Sequence, residues 1–296
     1  NKDSTAIVTR FAPSPTGLLH LGHAYSALFA QGEAKRLGGR FLLRIEDIDT
    51  LRCKREFEDA IFEDLEWLGI KWETPVRRQS DHMDDYAGAL ERLKGMGILY
   101  PCFCSRREIR REIAAANSAP HQGPEGPHYP GICRGMEVEQ ADKRKDAGEP
   151  FALRLDTNKA LSLIKTSLVW RDADGNEHAA HPESFGDVVL ARKDILTSYH
   201  LAVSIDDDLQ GVNLVIRGED LLSATDVHRL LQELLGLKVP TYIHHHLLKG
   251  EDGKRFAKRD KSQTIRALRD SGKTAEDIKK IVGFESLRDL FPAPWG

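Results

Sequence analysis

The chain has little of several things. Four cysteines and three methionines occur in 296 residues, and three of those cysteines, Cys102, Cys104 and Cys133, crowd one region. A secreted disulfide framework is therefore excluded, and a reducing setting, the cytoplasm, is the expected location. No apolar run is long enough to span a bilayer, so no membrane association is expected. The polar opening, Asn1 to Ala6, carries no signal-peptide pattern. There is no internal repeat and no low-complexity tract. The formal net charge is only −3, which excludes a protein that coats nucleic acid by bulk charge and leaves room for a local basic patch. What is present, 40% hydrophobic and 30% charged residues, suits a globular chain with a proper core.

Strand and helix patterns alternate from the start. Ile7 to Phe11 reads as a buried strand that runs into a Pro/Gly turn, Pro13 to Gly17. A helix follows from Leu21 to Leu37, stopped by Gly38-Gly39. Phe41 to Ile45 is a second strand. Phe57, Ile61, Leu65 and Leu68 then recur at helical spacing. A further helix spans Met83 to Met96. Val212 to Ile216 reads as another buried strand, and Ser223 as the N-cap of a helix ended by Gly236. This order is an α/β signature. Between the two halves, residues 100–135 hold the cysteines, a basic helix from Ser105 to Ala116 and a Pro/Gly/His stretch, and read as an insertion. The expected divisions are 1–99 (first half of the core), 100–196 (insertion), 197–247 (second half) and 248–296 (a cationic loop and a short helical segment).

Five groups of residues carry chemistry. Arg10-Phe11-Ala12-Pro13-Ser14-Pro15-Thr16-Gly17 leads into His20-Leu21-Gly22-His23 at a helix start, where free N–H groups and the dipole attract phosphate. His20 and His23 share one face of the first turn and can donate to phosphate oxygens, and Gly22 would keep that turn open for a nucleotide. Lys249 to Arg259 is a Gly-containing turn loaded with cations, suited to clamping a triphosphate. Glu46, at a strand end on the same face as Arg44 and Ile48, can accept from a substrate ammonium. Asp49 reads instead as a helix-dipole partner. Arg217, at the end of a buried strand, can grip a carboxylate. Arg10 and Arg217 together suit a substrate with two carboxylates and one amine, such as glutamate; neutral glutamine would leave buried guanidinium poorly compensated. Finally, Cys102, Cys104 and Cys133 make a zinc site that needs a fourth ligand, for which the residues offer His121, His128 or Tyr129. Cys53 reads as a small buried residue. Asp206-Asp207-Asp208 reads as a loop before Gly211, and His244-His245-His246 as a strand edge near the nucleotide. The basic helix, with Arg106, Arg107, Arg110 and Arg111, offers a surface for phosphate contact.

The His20 to His23 string resembles the HIGH motif of class I aminoacyl-tRNA synthetases, and the preceding eight residues are similar to the glutamyl and glutaminyl branch. Arg255-Phe256-Ala257-Lys258-Arg259 looks like that family's KMSKS loop, with departures at four positions and Lys258 kept. The resemblance runs over essentially the whole chain. It implies a Rossmann-like nucleotide-binding core and ATP contact by His20, Gly22, His23 and Lys258, with His20, His23 and Lys258 catalytic. It also implies an amino-acid pocket of Arg10, Phe11, Ala12, Pro13, Ser14, Glu46, Tyr199 and Arg217. Cys-x-Cys followed by Tyr-x3-Cys is similar to the zinc site of glutamyl-queuosine tRNA(Asp) synthetases, in which the tyrosine oxygen ligates, implying Tyr129 as fourth ligand to one structural Zn2+. Few residues follow Arg259, so no large anticodon-binding domain is expected. The truncated family is implied to activate L-glutamate with ATP and Mg2+ without tRNA, and to transfer it to queuosine in the anticodon loop of tRNA(Asp), as a monomer. Two other expectations stand beside this one: a short glutamyl-tRNA synthetase charging a tRNA 3′ end, and an inactive tRNA-binding module.

Overall fold

The computed structural model describes residues 6–115, 122–124, 126–248 and 264–284. Five parallel strands form the core. Strand β1 (Val8–Phe11) leads through helix α1 (Leu21–Arg36) to β2 (Arg40–Ile45), then through α2 (Arg55–Trp67) to β3 (Glu73–Arg78) and α3 (Met83–Gly95). The insertion follows: β4 (Leu99–Cys102), α4 (Arg106–Ala115), a two-residue ladder of β5 (Gln122–Gly123) and β6 (Gly126–Pro127), α5 (Val138–Asp146), β7 (Ala152–Leu155), α6 (Thr157–Leu163), β8 (Val169–Asp172), β9 (Glu177–Ala179) and β10 (Val189–Ala191). The chain then returns to the core with α7 (Tyr199–Leu209), β11 (Leu214–Gly218), α8 (Ala224–Leu235) and β12 (Thr241–His245), and the described part ends in α9 (Ile265–Asp270) and α10 (Ala275–Ile281).

Strands β1, β2 and β3 pair in parallel, as do β11 and β12. Asn213 joins the two groups: its side chain accepts from the Val8 amide at 2.8 Å and its own amide donates to the Val8 carbonyl at 3.1 Å. The resulting order, β3-β2-β1-β11-β12, reverses direction between β1 and β11, and ligands of such sheets bind beyond the strand ends at that reversal. Arg10, Glu46 and Arg217 all sit on or just after carboxyl ends of these strands.

Alternation along β1 decides which residues face which layer. Thr9 and Phe11 turn toward α1, where the Thr9 hydroxyl donates to the Ala30 carbonyl at 3.0 Å and Phe11 joins the core with Leu28 and Phe29. Val8 and Arg10 face the other way, Val8 against Trp170, Val215 and Tyr242. Helix α1 is buried on nearly every side, with Leu21, Ala24, Ala27, Leu28 and Ala30 at most 5% exposed, as a helix wedged behind a sheet must be. A second cluster lies between α3, α7, α8 and the insertion. No helix among the described residues is long and apolar enough to cross a membrane.

Several local expectations need correction. Asp206-Asp207-Asp208 is no loop: all three lie in α7, whose first turn is capped by Ser198. Ser223 does not cap α8; it is already helical, because a short 3-10 turn, Glu219–Leu221, precedes it. Gly236 does end that helix, in the left-handed region at φ 64°. Asp49 is not at a helix start, since α2 begins after Lys54; it bonds Arg52 at 2.7 Å and Arg192 at 3.0 Å instead. Cys53 is half-buried rather than buried. Strand β12 is not an edge but lies between β11 and β8. That pairing also returns β8 and β9 to the core sheet from within the 100–196 stretch.

Candidate active site

His20 caps α1. Its Nδ1 accepts from the Gly22 amide at 3.1 Å, and His23 Nδ1 accepts from the His20 amide at 3.1 Å. Both Nδ1 atoms act as acceptors, so the neutral rings carry their protons on Nε2. The two rings lie 3.8 Å apart between centroids, tilted by 38°. Gly22 has a reason closer to hand than an open turn. A Cβ there would lie 3.0 Å from His20 Cε1 and 3.1 Å from Nδ1, so the imidazole itself requires glycine.

A cleft of about 340 Å³ opens beside them, lined by His20, Gly22, His23, Gly218, Asp220 and His245 among others. Its size suits a small-molecule ligand. Gly218 forms a wall where a Cβ would come within 2.8 Å of Leu247. His245 takes a 2.7 Å bond with the Ser26 hydroxyl, and burial holds its pKa below the ordinary value. The cationic loop with Lys258 lies outside the described residues, but its flanks border this cleft: Leu248 lines it, and Thr264 pairs with His20 across an antiparallel bridge.

The residues that the resemblance assigns to an amino-acid pocket converge from four elements. Arg10 and Arg217 are 4% and 5% exposed. Their partners differ in kind. Arg10 donates from Nε and an Nη to the two oxygens of Asp207, at 3.0 and 3.3 Å. Arg217 meets only neutral groups: the Thr225 hydroxyl at 2.7 Å, His228 Nδ1 at 3.2 Å and His244 Nε2 at 3.3 Å. No carboxylate among the described residues pairs with Arg217. The imidazoles beside it respond. Burial and then Arg217 depress His228 well below its usual range and His244 to about 3, so both are neutral acceptors at physiological pH.

Glu46 is buried, and burial raises its pKa against the opposing pull of Arg44 and Arg10. Arg44, fully enclosed, donates to Glu46 at 3.2 Å and to Asp207 at 2.8 Å. Burial penalises the Asp207 charge too, but Arg10 and Arg44 outweigh it and hold its pKa below the carboxylate norm. Tyr199 opens α7 with its ring 5.6 Å from that of His228; burial raises its hydroxyl pKa. Pro13 accepts from the Glu46 amide at 3.0 Å, which ties the turn after β1 to the end of β2. Ala12 is half-buried and Ser14 exposed on this turn. The Phe11 ring is committed to the core, so only its backbone can reach a ligand.

The sequence reading assigned no site role to Asp207, Arg44, Thr225, His228 or His244. A signal existed for one of them. Tyr199, Val203, Asp207 and Gln210 recur at helical spacing, so a helix assignment would have placed Asp207 toward the Tyr199 face.

The cysteines form a separate site. The sulfurs of Cys102, Cys104 and Cys133 all lie within 4.8 Å of one another. The Tyr129 oxygen sits 3.4 Å from Cys102 Sγ and 3.5 Å from Cys104 Sγ, and those of Cys104 and Cys133 are 3.5 Å apart. Tetrahedral zinc with bonds of about 2.0–2.3 Å places its ligands roughly 3.5–3.8 Å apart, so the donors fit. His128 is turned elsewhere, its Nε2 2.6 Å from the Ser184 carbonyl; His121 lies outside the described residues. The Cys133 amide donates to the Tyr129 oxygen at 2.9 Å, and the Arg154 guanidinium lies 3.9 Å from its ring centroid. Both favour an anionic oxygen. Burial pushes the Cys104 thiol up to about 11 and raises the Tyr129 phenol as well, the cost of deprotonating ligands that only a cation can offset.

A doubly wound sheet with histidines at the first helix start, a basic pocket at the reversal point and an inserted cysteine knuckle defines a synthetase-type nucleotide-binding catalytic domain. The model for tRNA synthetases class I (E and Q), catalytic domain, matches residues 6–284, and the chain belongs to that family. It is 46% identical to the Glutamyl-Q tRNA(Asp) synthetase of Rhodobacter capsulatus, covering 94% of this chain and 100% of that one. It is 39% identical to the Glutamate–tRNA ligase of Aquifex aeolicus, over 92% of this chain but 55% of the ligase. Among solved structures, the glutamate-tRNA synthetase of Elizabethkingia anophelis superposes with a TM-score of 0.72 at 30% identity. That match covers 86% of this chain and 53% of the other, so the present chain spans about half of that larger enzyme.

Proposed function

We propose that this protein activates L-glutamate with ATP, without tRNA, and transfers the glutamyl group to queuosine in the anticodon loop of tRNA(Asp). The observation that carries the first half is buried Arg217, with no carboxylate partner among the described residues, in the same charged cluster as buried Glu46. A cation lacking a carboxylate and an anion able to meet an ammonium are complementary to an acidic amino acid. Replacing the substrate carboxylate by an amide would leave the guanidinium unpaired, at a cost of several kcal/mol. In this reading ATP, with Mg2+ on its phosphates, occupies the cleft beside His20 and His23. The glutamate α-carboxylate attacks the α-phosphorus, pyrophosphate leaves, and the Nε2–H groups and Lys258 stabilise charge as it builds. A hydroxyl of the modified base then attacks the mixed anhydride and AMP departs. The relative in Rhodobacter, similar over its whole length, supports queuosine as acceptor. Zn2+ on Cys102, Cys104, Cys133 and Tyr129 is part of the proposal, as a structural clamp on the insertion.

The test has two stages. Glutamate-dependent ATP–pyrophosphate exchange without tRNA is expected; its absence with tRNA binding retained would point to a binding module. Radiolabelled glutamate should then pass to tRNA(Asp) carrying queuosine and not to the unmodified form. Label on the 3′ end of tRNA(Glu) instead would replace this reading by the short glutamyl-tRNA synthetase.

A further inference from the structure

Two neighbouring aspartates on α7 divide their partners. Asp206 is fully buried and faces β3 and α3. It accepts from Arg77 at 2.8 Å, Gln79 at 2.8 Å and the Tyr86 hydroxyl at 2.9 Å. Asp207, one residue on, faces the amino-acid pocket and accepts from Arg10 and Arg44. We propose that Asp207 is the positioning residue of this pocket, a single carboxylate that sets the orientation of both its cation Arg10 and, through Arg44, its anion Glu46. This inference rests on the glutamate-activation reading above and deepens it.

The geometry supports this at each link. Asp207 takes the Nε and one Nη of Arg10, which fixes the plane of the guanidinium. Among the described residues the remaining Nη meets only the Ile216 carbonyl, at 3.5 Å, the long limit of a hydrogen bond, so that edge can turn to an incoming carboxylate. Asp207 Oδ1 also receives Arg44 at 2.8 Å, while Gln210 takes the same nitrogen at 3.0 Å. The other end of Arg44 donates to Glu46. Arg44 has no exposure, so it has no alternative hydrated pose. Four charged side chains, Arg10, Asp207, Arg44 and Glu46, are thereby linked in a row across α7, β1 and the end of β2.

The charge balance makes the same point. Arg10 and Arg44 are two buried cations facing Asp207 and Glu46; Asp206 holds Arg77 at 2.8 Å and lies 3.7 Å from Arg44 Nε. Removing the Asp207 charge leaves Arg44 to Glu46 and the more distant Asp206, and leaves Arg10 acting on Glu46 through space. Glu46 would be drawn onto the two guanidinium groups and lost to the substrate ammonium. Arg10, freed of its fork, would rotate. Both substrate contacts fail together, although neither residue has been changed.

The test compares the two aspartates in ATP–pyrophosphate exchange. Asp207→Asn is expected to raise KM for glutamate about 100-fold, the scale of a misplacement near 1 Å, with a much smaller change in KM for ATP. Asp207→Glu keeps the charge at the wrong reach, and its expected rise is smaller, about tenfold. Asp206→Asn should lower the thermal midpoint at least as much, yet leave both KM values near those of the unaltered protein. If Asp207→Asn does not fold, Asp207→Glu carries the comparison. A glutamate KM for the Asp207 variants no higher than for Asp206→Asn, or KM values for ATP and glutamate rising in parallel, would overturn the positioning role and leave glutamate activation standing. Failure of the unaltered protein to exchange at all would overturn the activation reading itself.

Discussion

A buried arginine without a carboxylate is costly to fold, and among the described residues Arg217 has none. Replacing it by Met, of comparable length and no charge, should therefore divide function from stability. KM for glutamate is expected to rise by a factor corresponding to roughly 2–5 kcal/mol, while the thermal midpoint stays level or increases. A fall in both together, measured by exchange and calorimetry, would mean that Arg217 is a structural tether. Gly22 makes the opposite case, a residue required by contact. Its substitution by Ala places a methyl 3.0 Å from the His20 ring. Helix propensity alone would favour Ala by about 1 kcal/mol, so stability should not drop much, but kcat for exchange should fall about tenfold or more as the imidazole is displaced. Arg10, Glu46 and Arg217 were legible in the sequence because each ends a hydrophobic strand, where a charged residue has few bland explanations. Asp207 was not, because it stands in a run of three aspartates that composition alone assigns to a polar turn.

At the scale of elements, helix α9 connects the end of the cationic loop to the core. It is clipped to α2 by Arg266 and Arg269 on Glu63, both at 2.9 Å, with Arg269 3.7 Å from Asp64. Asp64 is fully buried and neither of its oxygens has a hydrogen bond. Burial raises its pKa to about 6, against the pull of the two arginines. A carboxyl raised in the folded state contributes stability that is complete below its unfolded value, about 3.9, and is lost as pH rises through about 6. Asp64→Asn should accordingly be more stable than the unaltered protein at pH 8, by on the order of 2 kcal/mol, with the difference closing below about pH 4. Urea titrations at a series of pH values measure this, and a gap independent of pH would contradict the assignment. The cysteine knuckle is an element of another kind, a loop-rich insertion whose own apolar cluster is small: Tyr100, Tyr129 and the cysteines, with Ile109 and Met136 against them. Purified protein should carry about one zinc per chain. Cys104→Ser should lower that content, and chelation should open the insertion to protease before the core.

The whole molecule gathers its chemistry by topology. The chain runs β1, β2, β3 outward, leaves for the insertion, and re-enters on the other side of β1, so that residues from both halves meet at one reversal. Several imidazoles are enclosed there in neutral form, and His228, His244 and His245 are all held below their ordinary pKa by burial. A histidine depressed in the folded state contributes stability that is present above about pH 6.5 and is lost as pH falls, for His244 down to about 3. The denaturation midpoint should thus decline from pH 7 to pH 5, and less steeply in Arg217→Met, since Arg217 is the second cause of the depression at His228 and His244. The sequence by itself determined the α/β alternation, the histidines at the first helix start, the cysteine cluster and the strand-end charges, because each is written in residues close along the chain. It left open which side chain stands beside the three sulfurs and the partner of each arginine. On the first, the fold turns His128 to Ser184 and brings Tyr129 within 3.5 Å of two sulfurs, the arrangement the zinc proposal uses. The second was decided by packing α7 against the sheet, which brought Asp207 to Arg10 from 197 positions away. Spacing rules hold only within one helix or strand, so a pairing across that distance has no local signature, and only the assembled sheet could assign it.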